Sequence, residues 1–355
     1  MDATVNSTAT NVEETPQVLK ETKNSIKVDF ERTSKIDRMK IKYLNGSYFA
    51  LLIWRMFRFL LLIGVSYVIL YPFFSKIAAS FMSAEDFVDV TVKLIPKYPT
   101  LDTYKAIIVD LKYIKALSNT FLISLFCAVL QTFMSCVIGY GFAKFKFPGS
   151  KLLFACVMFT MIVPHSTVQL SMFMKFKYFD IFGIFELLGI GKGFIELTNT
   201  YWPLAILSLG GLAFKNGLYI FLMRQFFKGV PDELEESAYI DGSGIFRTFL
   251  TIILPLAGPM LITVFMFSFS WQWTDEFYAG LFLPSTMEDV KVYMMPDVYK
   301  NLPNSIFKTG MVGGDIYQNV IQNTGGMMII APLIIVYLFC QRYLVQGIER
   351  SGLVG

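Results

Sequence analysis

Charge is scarce in this 355-residue sequence: Asp, Glu, Lys and Arg together make up 16% of it, against about 25% in a typical soluble domain. Histidine is scarcer still, with His165 alone, so this chain by itself offers no site that needs two imidazoles. The four cysteines, Cys127, Cys136, Cys156 and Cys340, show no C-x-x-C spacing. That excludes a zinc clamp or a thiol-exchange pair and leaves small buried hydrophobes as the expectation. A net charge of +4 is too small and too dispersed for binding nucleic acid by counterion release. No G-x-x-x-x-G-K-[ST] occurs, so the backbone cradle and lysine for nucleotide phosphates are missing. The cluster Gly189, Gly191 and Gly193 follows no strand pattern and does not replace them.

What the sequence has instead is apolar length. Hydrophobic residues make up 54%, mean hydropathy is +0.53, and the charges are gathered between long uncharged blocks. A spanning helix needs about 20 mainly apolar residues to cross about 30 Å of hydrocarbon. Six blocks answer to this: Phe57–Phe74, Ala116–Ala143, Leu152–Met174, Leu197–Met223, Thr248–Thr274 and Ile316–Gln341. The expected fold is therefore an all-α integral membrane bundle of six transmembrane helices, residues 48–355, behind a polar and largely disordered tail, residues 1–47. The tail has no cleavable signal-peptide pattern. Arg55 and Arg58 share a helical face that suits the membrane interface.

With the amino terminus inside and six alternating spans, the inner segments hold 18 Lys and Arg and the outer ones 12, which places both termini in the cytoplasm. The turn Lys144–Lys151, with three lysines, no acid and the pair Pro148–Gly149, suits a tight inner connection. Longer external loops are expected at 75–115 and 284–315, and a cytoplasmic carboxyl tail at 342–355.

The inner loop 229–255 is the most informative stretch. Pro231 suits a first helical turn, and Asp232, Glu233, Glu235 and Glu236 put negative charge at the positive end of a short helix, Asp232–Ile240. Asp241–Gly242 makes a turn, and a second short helix with Ile245, Phe246 and Phe249 on one side leads to Pro255. Such a pair is expected to expose Leu234, Ala238, Tyr239 and Ile245 to a partner protein, with Glu236 available to a basic group.

At these residues the sequence resembles the membrane subunits of type I ABC importers. Their signature here is Glu-Ala-Ala, three residues, Gly, nine residues, Ile, one residue, Leu-Pro. Glu236, Ser237, Ala238, Gly242, Ile252, Leu254 and Pro255 fall at that spacing, with Ser in place of the first Ala. The segments 94–107, 118–154, 221–244 and 341–355 are similar to the carbohydrate branch, in particular the maltose-type second permease. The resemblance implies a coupling-helix loop in which Glu236, Ser237, Ala238, Asp241, Gly242, Ile252, Leu254 and Pro255 meet a cytoplasmic ATPase dimer. It also implies a second homologous permease, an extracellular sugar-binding protein, residence in the inner membrane, and di- or oligosaccharides as cargo. ATP and Mg belong to the partner ATPase, no cofactor is expected on this chain, and it is not itself an enzyme. The segment from Gly347 onward resembles the family's second ATPase contact.

Ionisable groups within a membrane are functional candidates by default. Lys215, inside the fourth block, and His165, after Pro164 in the third, are the candidates for a translocation path, alongside structural roles for each. An ion-coupled secondary transporter is the alternative; it predicts paired intramembrane acids and inverted halves, and neither is evident. An intramembrane enzyme needs a nucleophile and base or a carboxylate pair, and one histidine without clustered acids argues against it.

Overall fold

The computed structural model describes residues 46–83, 85–86, 89–181, 183–189, 193–283, 298 and 314–352. Among these every named element is helical, in agreement with the all-α expectation, and the one bridge between extended residues joins Phe179 to Ile195. The proposed disorder of the amino-terminal tail falls almost wholly outside the described residues, as does most of 284–315.

The chain divides into two units, Met1–Leu70 and Tyr71–Gly355. The described part of the first lies within helix α1, Gly46–Ser80. Its large apolar side chains from Phe49 to Leu70 are exposed all round, as suits a segment whose solvent is lipid rather than a protein core.

In the second unit, α2 (Asp102–Asp110) leads to α3 (Tyr113–Lys144), a continuous span close to the expected 116–143. The third block is broken. Helices α4 (Ser150–Ile162) and α5 (His165–Lys177) meet at 103° across Val163–Pro164, because proline lacks the N–H that would continue the ladder and forces the preceding residue out of the helical region. After α6 (Ile184–Leu187), the fourth block also departs from a single span. It forms α7 (Trp202–Leu209) and α8 (Asn216–Lys228), separated by Gly210–Lys215, where Gly211 and Lys215 both take positive φ. The 231–255 loop holds α9 (Glu233–Ile240), α10 (Ile245–Thr248), a π-helical turn Phe249–Ile253, and α11 (Leu254–Leu256). The fifth block bends by 75° where α11 gives way to α12 (Gly258–Trp273). Helices α13 (Phe277–Phe282) and α14 (Gly314–Gly352) complete the unit. Among the described residues, three helices suffice by length and composition to cross a membrane, or up to five if each bent pair is one span; the α7–α8 pair is the remaining block of the expected six.

Three apolar clusters stack along α3. Ile107, Leu111, Ala116, Phe269 and Trp273 form one around its start, Ile123, Cys127, Phe176, Leu204 and Phe282 a second, and Cys136, Tyr140, Met223, Phe227, Phe249 and Ile253 a third beneath the loop. The cysteines only half follow expectation: Cys127 and Cys136 are buried, whereas Cys156 is exposed and Cys340 partly so, and all four are free. Gln131 on α3 ties three helices together. It donates from Nε2 to Ser208 Oγ on α7 at 3.2 Å and accepts from Ser268 Oγ on α12 at 2.6 Å, with all three residues buried.

Pro332 stands inside α14, where it deprives the carbonyl four residues earlier of its N–H. That carbonyl is Met328's, and the Tyr113 hydroxyl donates to it at 2.7 Å, while Trp273 Nε1 donates to the neighbouring Ile329 carbonyl at 3.0 Å. The Tyr113 side chain of α3 thus satisfies the oxygen that the proline releases in an apolar setting, and Trp273 of α12 binds the next one along.

Candidate functional site: the 231–255 loop and a mid-bundle cation

The first helix of the loop forms as its acids predict, with Asp232 at the N-cap position and Glu233, Glu235 and Glu236 in the first turn. It ends in a Schellman motif. The N–H of Gly242 donates to the Tyr239 carbonyl at 3.0 Å and that of Ser243 to the Ala238 carbonyl at 2.9 Å, with Gly242 at φ +81°. A Cβ at Gly242 would meet nothing within 4 Å. Glycine is required here by the backbone conformation and not by crowding.

One lysine fastens this helix to the bundle. Lys144, the last residue of α3, donates from Nζ to the Val230 carbonyl at 2.7 Å and to Asp232 Oδ1, and lies 3.6 Å from Glu235 Oε1. Glu235 is buried and accepts from the Tyr140 hydroxyl at 3.2 Å. Tyr140 packs its ring on Phe227 and Phe249, with centroids 5.4 and 4.7 Å apart. The hydrogen bond from Lys144 holds the Asp232 carboxyl below the usual aspartate range. Sequence reasoning credited Glu235 only with helix-dipole stabilisation and Lys144 only with topology. A buried role for both was signalled by Lys144 closing an otherwise uncharged span and by the i, i+3 pair Asp232/Glu235, which shares a helical face.

Of the expected loop residues, Glu236, Ser237, Asp241 and Gly242 are exposed, and Ser237 Oγ donates to the Glu233 carbonyl. Ala238 is not on the docking side: it is 5% exposed, because residues 235 and 238 share the face turned to the bundle. Phe249 likewise leaves the side of Ile245 and Phe246 and is buried against Tyr140 at the start of the π turn. Ile252 and Leu254 are half-buried and Pro255 exposed within the segment that enters α12. Leu234, Tyr239 and Ile245 are exposed as expected, and Ile240 at 86% and Phe246 at 75% add the largest apolar surface. The loop therefore presents a rim of carboxylates around uncovered aliphatic and aromatic groups, a surface suited to a protein partner carrying basic residues. The carboxyl-terminal segment differs from a free tail. Gly347 lies within α14 and its backbone packs against Thr263 and Pro259 of α12, where a Cβ would collide with both.

Lys215 and His165 come together although fifty residues separate them in sequence. Lys215 occupies the left-handed position just before α8, with its ammonium 5.0 Å from the centroid of Phe214 and 5.2 Å from that of Trp271. His165 opens α5, packs its ring tilted against Phe214 with centroids 4.6 Å apart, and shares a 2.8 Å hydrogen bond between Nδ1 and the Tyr278 hydroxyl. Cation–π contact is worth about 0.5–2 kcal/mol, and an unpaired lysine at mid-membrane costs about 2.5–3.5 kcal/mol, so the rings offset part of the cost. Asp275, by contrast, is occupied as a cap, accepting from the N–H groups of Phe277, Tyr278 and Ala279 at 3.0 Å each. Among the described residues no group of three His, Cys, Asp or Glu is placed to hold a metal.

The family profile described as the binding-protein-dependent transport system inner membrane component matches residues 133–350. The galactooligosaccharides transport system permease protein GanQ of Bacillus subtilis (strain 168) is 27% identical over 303 residues, covering 84% of this chain and 95% of that protein. The arabinooligosaccharides transport system permease protein AraQ of the same organism is 25% identical over 295 residues, covering 82% and 92%. The α-glucoside transport system permease protein AglG of Rhizobium meliloti (strain 1021) is 28% identical over 256 residues, covering 72% and 60%. Among solved structures, a bacterial ABC transporter involved in the import of the acidic polysaccharide alginate aligns with a TM-score of 0.60 at 21% identity, over 88% of this chain and 98% of that one. That likeness bears on the fold.

Proposed function

The chain belongs to the family of binding-protein-dependent transport system inner membrane components, and we propose that it is the membrane permease subunit of an ATP-driven importer of di- or oligosaccharides. The observation that carries the reading is the loop helix Glu233–Ile240. It is fastened to α3 through Lys144, ends at a left-handed Gly242, and leaves Ile240 and Phe246 uncovered. A partner that grips this surface pulls directly on α3 through a buried lysine and on α12 through the continuous turn Phe249–Leu256. In this reading the partner is a cytoplasmic ATPase dimer that supplies ATP and Mg, and the loop and both termini face the cytoplasm. Glu236, Ser237, Asp241 and Gly242 meet the ATPase, while Ala238, Ile252, Leu254 and Pro255 shape the helix and its exit. A second permease completes the translocation path, which Lys215 and His165 line, and an external binding protein delivers the sugar. The names of GanQ, AraQ and AglG support oligosaccharides as the cargo class.

The test is affinity capture of the tagged chain from native membranes, with mass spectrometry and an ATPase assay. Recovery of an ATPase and a second permease, with hydrolysis raised by a binding protein and one oligosaccharide, is the expected result. Recovery of the chain alone, with uptake that follows an ion gradient and survives ATP depletion, refutes the reading in favour of a secondary transporter.

A further inference from the structure

The break before α8 and the break before α5 lie at the same depth. Lys144 bonds to Val230, so the loop-side ends of α3 and α8 are level. Helix α8 then carries 13 residues back to Lys215, and α4 carries 13 from Ser150 to Ile162. Each is about 20 Å of helix, and the side of Gly217 lies against Val157, Thr160 and Met161, which puts the two breaks next to each other. Trp271 is the fourteenth residue of α12, again about 20 Å from its start. Three interrupted elements therefore deliver Lys215, His165 and Trp271 to one cluster around Phe214.

In that cluster Lys215 has aromatic neighbours and no carboxylate: among the described residues its ammonium makes no ion pair. Trp271 is 45% exposed and offers ring surface beside the cation. The Tyr278 bond occupies Nδ1 of His165 and leaves Nε2 for another hydroxyl. An ammonium next to an open indole and a neutral donor–acceptor pair matches a pyranose bearing a carboxylate. The C–H face of the sugar lies on the indole, its hydroxyls reach the imidazole, and its carboxylate neutralises the lysine. We propose that this cluster is the point at which the permease recognises an acidic saccharide of the hexuronate class as it crosses. The proposal rests on the reading that Lys215 and His165 line the translocation path, and it adds charge selectivity to it.

The test is uptake by cells carrying the complete importer. The probes are radiolabelled digalacturonate, diglucuronate and dimannuronate, together with the corresponding neutral hexose disaccharides. The wild type is expected to accumulate at least one hexuronate. K215M should reduce that uptake by about tenfold to a hundredfold, the weight of a charge-assisted contact, K215R should keep most of it, and the loss of acidic uptake in K215M should exceed any loss of neutral uptake by about tenfold or more. Accumulation of neutral probes alone, or of none, in the wild type overturns the proposal. An equal loss of acidic and neutral uptake in K215M overturns the charge selectivity and leaves the path reading standing. Unchanged uptake of every transported probe in both K215M and W271A overturns both. If K215M no longer co-purifies with the second permease while K215R does, Lys215 serves a subunit ion pair and the proposal falls.

Discussion

Replacing Lys144 by Met should loosen the loop helix from the bundle far more than its place at the end of a helix suggests. The side chain is almost wholly buried and serves the Val230 carbonyl, Asp232 and Glu235 together. Methionine fills most of the stem volume, so the loss is electrostatic: Glu235 keeps only its tyrosine contacts and is left buried without a cation. Removing one member of a buried pair costs about 3–5 kcal/mol; the low end applies here because Asp232 remains largely in solvent. At about 2 °C per kcal/mol for a chain of this size, the midpoint of thermal unfolding should fall by about 6 °C. Buried Cys127 and Cys136 provide the assay. With Cys156 and Cys340 replaced by serine, a thiol-reactive dye reports exposure of the core in detergent. E235Q alone should cost less, and K144M/E235Q should recover part of the K144M loss, since the double variant strands no charge. A K144M midpoint within about 1 °C of the parent, or strictly additive losses in the double variant, refutes the buried-pair account.

Gly242→Val forces a β-branched residue into the left-handed region at a cost of about 1–2 kcal/mol. It should lower sugar-stimulated ATP hydrolysis while membrane insertion stays normal, with Gly242→Asn milder because Asn tolerates φ near +81°; equal activity of G242V and wild type contradicts the motif. Gln131→Leu deletes the bonds to Ser208 and Ser268 and should cost about 0.6–1.7 kcal/mol, read as a lower midpoint in the same thiol assay; an unchanged midpoint means the seam is energetically idle. Because the folded carboxyl of Asp232 titrates below the unfolded one, its contribution is complete above about pH 4 and fades as pH falls through the lower folded value. Amide hydrogen exchange in 233–242, corrected for intrinsic rates, should therefore accelerate below about pH 4 in the wild type and show no such step in D232N.

The loop was legible in the sequence because its signals are local. Acids at a first turn, Asp241–Gly242 and Pro255 each act on their own backbone, and the helix boundaries followed to within one residue. The broken spans were legible only at Pro164. Hydropathy counts residues without regard to direction, so the interruption at Ala257, which leaves the chain as apolar as before, passes unnoticed, and that at Gly210–Lys215 shows only as a glycine pair and a single charge. The faces of Ala238 and Phe249 were misjudged because both are set by what lies beneath them: residues 235 and 238 share the face that turns to the bundle, and Phe249 packs on Tyr140, a residue more than a hundred positions earlier in the chain. The joining of Lys215, Phe214 and Trp271, like that of Lys144 and Glu235, is a tertiary fact that no short window contains.

Pro332 inverts the usual arithmetic of helix stabilisation. Replacing a proline inside a helix with alanine ordinarily restores an N–H and strengthens the helix. In α14 the restored N–H would compete with Tyr113 for the Met328 oxygen. The helix would gain a bond of its own by loosening one that joins it to its neighbour, so the irregular residue is the one that makes α14 adhesive, and a more regular α14 would be a worse member of the bundle.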